Sequence, residues 1–308
     1  MLAKVKSNSL CKALSILAVV ASIVFQLLST SAAAVENSAI QKHFVTQVSG
    51  AGKPVILIPG LMSDASVWES LKSDLSKNYQ VHTVNIAGFA STAAIENPSI
   101  AMVKQQLLDY IKANKLQKPA VIGHSLGGFL GFWLAASAPS EMGPIISVDG
   151  LPFVGPVFTG SNASTVESMA AQALQFRAMY NNMSQQQLVE QSKYGLSIQA
   201  SSDEAKAKVM AMVQTSDPAT VGEAVYHLMS TDLRQDIANI ESAVLLLGAS
   251  GGFSHDQQKT AMQQLYQQQL AAHPKAQLIM NTQSRHFIMF DDPMWLKQQV
   301  QRFLSEHL

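Results

Sequence analysis

From about residue 43 onward, short apolar runs rich in β-branched residues alternate with longer stretches whose apolar positions recur every three or four residues. The short runs, at 55–58, 81–86, 120–122, 145–148, 244–247 and 277–280, fit buried strands. The longer stretches, at 66–77, 100–114, 127–138, 256–272 and 293–308, have the spacing of amphipathic helices. In the first of these, Val67, Trp68, Leu71 and Leu75 share a face, and Ser63 or Asp64 stands where a helix cap belongs. Strand and helix in succession predict a mostly parallel central sheet flanked by helices.

The pattern breaks between residues 152 and 239. A Gly/Pro-rich entry at 151–160 leads into helical, Met- and Gln-rich sequence with no strand-like run. The expected organisation is therefore a core of residues 35–151 and 240–308, interrupted by a helical insertion at 152–239. Phe153, Phe158, Met169, Phe176, Met179, Tyr180, Met210 and Met212 in the insertion could line an adaptable apolar pocket or pack the insertion on itself. The glutamine patches at 185–187 and 267–269 read as solvated helix faces.

Composition narrows the function classes. With 47% hydrophobic and 14% charged residues, the 308-residue chain is that of a folded globular protein. Lys plus Arg and Asp plus Glu both number 21, so no net charge recruits nucleic acid or an anionic surface. Lys4, Lys6 and Lys12, an apolar run at 13–28 and Ser31-Ala32-Ala33-Ala34 form a secretory signal pattern, with cleavage expected after Ala34. The rival is a retained anchor, but the apolar run is short for spanning. Cleavage removes three basic and no acidic residues, leaving 18 against 21, a formal charge of about −3. It also removes Cys11, the chain's only cysteine, so the mature protein would have no disulfide, thiol nucleophile or Cys-ligated metal. The expected location is periplasmic or secreted, with no stable membrane anchoring once the signal is gone.

Gly123-His124-Ser125-Leu126-Gly127-Gly128 carries the chemistry. A serine hydroxyl is a weak nucleophile unless it is exposed, oriented and given a base. A sharp turn between a strand (120–122) and a helix (127–138) supplies the first two, and the glycines permit it. Pro59-Gly60-Leu61-Met62 follows an earlier strand, and Arg285-His286-Phe287 follows the last one. In these motifs and their order the chain resembles the α/β-hydrolases, from about residue 43 to the end. That resemblance implies their fold, with the insertion as a cap between strands 6 and 7. It further implies Ser125 as nucleophile, His286 as general base, and the backbone N–H groups of Leu126 and Leu61 as the oxyanion hole, with Met62 as the alternative to Leu61. The commoner form of the family has a histidine where Pro59 stands.

The acid that would orient His286 is left open between two aspartates. The family usually carries it about three residues past a glycine in the loop after the 244–247 strand, but Gly248-Ala249-Ser250-Gly251-Gly252-Phe253 has no acid before Asp256. Asp256 also has an ordinary reading at a helix start. Asp149 ends the strand that follows the nucleophile helix, a location used by haloalkane dehalogenases, and is the preferred candidate. The expected activity is hydrolysis of a small to medium, uncharged, apolar carboxylic ester through an acyl-enzyme, without cofactor or metal. A lactonase, thioesterase or amidase would use the same residues; a non-catalytic exported binding protein is the alternative from a different class. Epoxide hydrolysis and dehalogenation would require an aspartate at Ser125.

Overall fold

A computed structural model describes residues 42–308; the expected signal segment and its cleavage after Ala34 lie outside the described residues. Seven strands form one sheet: β1 (Phe44–Ser49), β2 (Lys53–Ile58), β3 (Tyr79–Ile86), β4 (Ala120–His124), β5 (Ile145–Val148), β6 (Val244–Ala249) and β7 (Gln277–Asn281), ordered β1-β3-β2-β4-β5-β6-β7. All pairs are parallel except β1 with β3. Residues Val55 to Ile58 of β2 and every residue of β4, β5 and β6 are buried, as required when helices cover both faces of a parallel sheet.

The apolar pattern draws no strand range for β1, although His43 beside it stands in a strand-like segment. β1 lies at the sheet edge and buries only Phe44, while Val45 and Val48 face outward, so its sequence carries little alternation. The single helix expected at 66–77 is divided. A 3-10 turn at Ala65–Trp68, capped by the Asp64 carboxylate on the Ser66 N–H, precedes α1 (Glu69–Leu75). Helix α2 (Ile100–Ala113) is capped by Ser99, and α3 (Leu126–Ser137) is almost wholly buried beneath the sheet centre.

Between β5 and β6 lies the helical insert: α4 (Gly155–Thr159), α5 (Val166–Asn181), α6 (Gln185–Gln199), α7 (Asp203–Val213) and α8 (Pro218–Ser230). Counted along the described residues, these are the fifth and sixth strands; the expected sixth and seventh came from the family's count, not from strands in this chain. The side chains of Thr165, Ser184, Ser202 and Asp217 accept from first-turn N–H groups, so short polar residues delimit each longer helix. The remaining helices are α9 (Asp256–Gln269), α10 (Ile288–Asp291) and α11 (Pro293–His307).

Gln185, Gln186, Gln187, Gln267 and Gln268 are exposed as expected, whereas Gln269 is not. The Gln185 amide donates to the carbonyls of Val213 and Gln214, both at 2.9 Å, closing the end of α7. Gln269 is fully buried, and its Oε1 accepts from the Phe153 N–H at 3.2 Å.

Candidate active site

The three predicted side chains line one cavity at the carboxyl ends of the strands, where open parallel sheets form their clefts. Ser125 joins β4 to α3 with φ 51° and ψ −113°, a conformation unfavourable for a residue with a Cβ. Its N–H donates to the Val148 carbonyl at 2.9 Å, and its carbonyl accepts from the Phe129 N–H at 3.0 Å, so both neighbours hold the turn. Helix α3 then runs so close to β2 that a Cβ at Gly127 would collide with the Ile58 carbonyl. This close approach brings the Pro59-Gly60 loop alongside: the Cβ position of Gly60 is 3.2 Å from Ser125 Cβ.

Asp149 ends β5, also at positive φ (52°), and its carboxylate is 7% exposed. Its Oδ2 accepts from His286 Nδ1 at 2.6 Å. Its Oδ1 accepts from the Ala249 N–H at 2.8 Å and the Tyr266 hydroxyl at 2.9 Å. With three donors in place, the carboxylate is fixed and charge-assisted bonds hold it there. Tyr266 is buried, and that burial, with the adjacent carboxylate, pushes its phenol well above the ordinary range, so it stays a donor.

The geometry also explains why the usual acid is missing. Gly251 stands three residues past Gly248, and a side chain there would collide with the backbone carbonyls of Gln283 and Ser284. Asp256 is exposed at the first turn of α9 and makes none of the hydrogen bonds that hold His286. Of the two aspartates left open by sequence, Asp149 is the one brought to the histidine.

His286 sits between β7 and α10 on a loop tied to the insert. The N–H groups of His286 and Phe287 donate to the carbonyls of Ile198 (3.3 Å) and Gln199 (2.8 Å) at the end of α6. Arg285 Nη1 donates to the Ala200 carbonyl at 2.8 Å. Asp291 accepts from the Arg285 N–H through Oδ2 at 2.8 Å and from the Ser201 N–H and hydroxyl through Oδ1 at 2.9 and 2.7 Å. These ties and Tyr266 join residues far apart in the chain, and no local motif announced them.

Ser125, Leu126, Asp149 and His286 line one cavity of about 460 Å³. Leu126 is the first residue of α3, so its N–H has no carbonyl one turn back to bond. Leu61 is half-buried on the loop beside Ser125 and is not part of the cavity wall. The insert contributes Val154, Val157, Ile198, Gln199 and Leu228 to that wall. The eight Phe, Met and Tyr residues singled out in the insert do not line it. Phe153 and Met169 pack with Ala173 and Met229 in a small core, Met212 is buried in the main one, Tyr180 and Met210 pack against that core, and Met179 lines a groove elsewhere. Phe158 and Phe176 rings meet at 5.9 Å.

His124 supports the histidine loop. Fully buried at the end of β4, it bonds the His286 carbonyl through Nε2 at 3.1 Å, its ring 4.6 Å from that of His286. Burial, reinforced by His286, holds its imidazole well below the usual value near 6.5. The folded chain therefore keeps His124 neutral, while the unfolded chain takes up a proton below about pH 6.5. Its contribution to stability is present above that pH and is lost as the pH falls, at up to about 1.4 kcal/mol per unit. Urea unfolding at pH 7.5 and 5.5 checks this: His124→Gln is expected to lose less stability between the two than the parent chain does.

A family model described as alpha/beta hydrolase fold matches residues 53–293. A pimeloyl-[acyl-carrier protein] methyl ester esterase of Aliivibrio fischeri (strain MJ11) is 33% identical over 107 residues, 34% of this chain and 40% of that protein. The match thus spans well under half of that relative. A protein of the same description from Nitrosomonas europaea is 23% identical over 209 residues, 65% of this chain and 78% of its own. Among solved structures, the enol-lactonase from Burkholderia xenovorans LB400 superposes with a TM-score of 0.66 at 18% identity, over 85% of this chain and 96% of that one. MenH from S. aureus superposes with a TM-score of 0.71 at 13% identity, over 86% and 99%. At such identities the superpositions speak for the fold alone.

Proposed function

Since the chain belongs to the α/β-hydrolase family, we propose that it is a serine ester hydrolase working through Ser125, His286 and Asp149. The observation that carries this reading is that Ser125, on its strained turn, shares a cavity with a histidine whose Nδ1 is bonded to a buried carboxylate. With Nδ1–H donating to Asp149, the His286 lone pair is on Nε2 and is available to take the Ser125 proton. Ser125 Oγ adds to the ester carbonyl carbon, and the oxyanion falls to the N–H groups of Leu126 and Leu61. Collapse breaks the bond to the alkoxy oxygen, which leaves with the proton from His286. Water, deprotonated by His286, then releases the acid from the acyl-enzyme.

The esterase descriptions of the Aliivibrio and Nitrosomonas relatives agree with ester over amide chemistry. A cavity of about 460 Å³ walled by Leu126, Phe129, Leu151, Val154 and Leu228 suits a small to medium, largely apolar acyl group. In this reading the insert acts as a cap, and the amino-terminal pattern directs export with cleavage after Ala34. A fluorophosphonate probe tests the nucleophile, and a series of p-nitrophenyl esters from acetate to decanoate tests the substrate class. Expected are covalent labelling at Ser125 and a rate maximum among the short to medium chains. A chain that is neither labelled nor active on any member is a binding protein, not this hydrolase.

A further inference from the structure

We propose that Arg285 and Gln199 form an anion subsite in the wall of the cavity, and that the favoured ester carries a carboxylate at the end remote from the bond cleaved. This rests on the ester-hydrolase reading and replaces its wholly uncharged substrate with a half-ester of a dicarboxylic acid.

Arg285 lines the cavity next to His286 and is half-buried there. Its guanidinium spends one N–H on the Ala200 carbonyl and pairs with no carboxylate among the described residues. The two arginines of the insert behave otherwise: Arg177 meets Glu223 at 2.6 Å and Arg234 meets Asp232 at 2.5 Å. Asp291, the acid nearest Arg285 in the chain, commits Oδ2 to the Arg285 backbone N–H and Oδ1 to Ser201. Gln199 lines the same cavity; its main-chain carbonyl holds Phe287, and its side-chain amide makes no hydrogen bond among the described residues. The remaining N–H groups of the Arg285 guanidinium and the Gln199 amide therefore border one cavity with no protein acceptor among the described residues, beside Ile198, Gly252 and Phe253.

A guanidinium withdrawn from water without a counter-ion is a standing cost, and an arriving anion removes it. The planar fork of arginine matches a carboxylate in two parallel bonds, which an apolar surround strengthens. The carboxylate of the cavity, Asp149, is already satisfied by His286, Ala249 and Tyr266 and does not serve as the counter-ion of Arg285. The acyl chain of a half-ester would lie along the apolar wall, its ester carbonyl at Ser125 and its carboxylate at Arg285.

Monomethyl suberate and dimethyl suberate differ only at the remote end, which is a carboxylate in the first and an uncharged methyl ester in the second. The wild-type chain is expected to show kcat/KM at least tenfold higher for the monoester, and in Arg285→Met the ratio is expected to fall to about one. The ratio is taken within each protein, so a general loss of activity cancels. A wild-type ratio of one or less, or a ratio that Arg285→Met leaves unchanged, overturns the subsite. Binding of suberate to the Ser125→Ala chain, followed by calorimetry, reads the subsite without turnover. Suberate should bind at least tenfold more tightly than 1,8-octanediol, and adding Arg285→Met should abolish that preference. If no ester is hydrolysed but this preference holds, the hydrolase reading fails and the subsite stands; equal binding of diacid and diol overturns the subsite whatever the turnover.

Discussion

Ser125→Ala is expected to lower kcat on a p-nitrophenyl ester by about a million-fold, leaving only the residual rate that an oxyanion hole and substrate binding support without a nucleophile. Removing Oγ deletes the attacking atom and leaves the proton acceptor of His286 with nothing to act upon. The turn itself should survive. Its shape is set by main-chain bonds, from Ser125 N–H to the Val148 carbonyl and from Phe129 N–H to the Ser125 carbonyl, and alanine makes both. Alanine at φ 51° is no more strained than serine, so the urea midpoint should stay close to that of the parent. Stopped hydrolysis with an unchanged midpoint is the expected pair of results; hydrolysis persisting at more than a tenth of the parent rate refutes Ser125 as nucleophile.

Asp149→Asn is expected to cost about 10⁴-fold in kcat, whereas Asp256→Asn should change it by less than twofold. The carboxylate holds the proton on His286 Nδ1 and stabilises the imidazolium as it forms. An amide can turn its NH₂ toward Nδ1, which then accepts, placing the ring proton on Nε2 where the Ser125 proton must go. The Tyr266 hydroxyl and the Ala249 N–H make the change harder to absorb, because both require an acceptor at the other atom of the group. Asp256 is exposed at a helix start, where loss of its charge costs a few tenths of a kcal/mol of helix stability and nothing in turnover. Steady-state kinetics on the two variants decide the assignment: a large loss in Asp256→Asn, or none in Asp149→Asn, reverses it.

Much of this architecture was legible in the sequence because it is written locally. Six strands show as apolar or alternating runs of three to six residues, and a glycine-flanked serine between strand and helix needs no distant partner to be noticed. The extent of β1 was not legible because an edge strand that buries Phe44 and exposes Val45 and Val48 has almost no pattern. The wall of the cavity was not legible for another reason. Phe153 and Met169 are as apolar as a pocket requires, yet they serve a core within the insert, and the smaller Val154 and Val157 face the cavity. Chemical type told which residues avoid water; helix packing told which neighbour they found. Tyr266 sits among glutamines 117 positions from Asp149, and only the folded chain joins them. The sequence could say that the usual acid loop was empty. That a side chain at residue 251 would strike the main chain of Gln283 and Ser284 depends on two loops meeting in space.

The ties between α6 and the histidine loop bear on how such a molecule can change over generations. The carbonyls of Ile198, Gln199 and Ala200 hold consecutive residues of the loop that presents His286. The insert is therefore not an exchangeable module: grafting another in its place would alter specificity and remove the anchorage of the base in the same stroke. New substrate preferences should arise first by substitutions on the wall-facing positions of α4 and α8, such as Val157 and Leu228, with the last turn of α6 conserved as a hinge pin between two evolutionary rates.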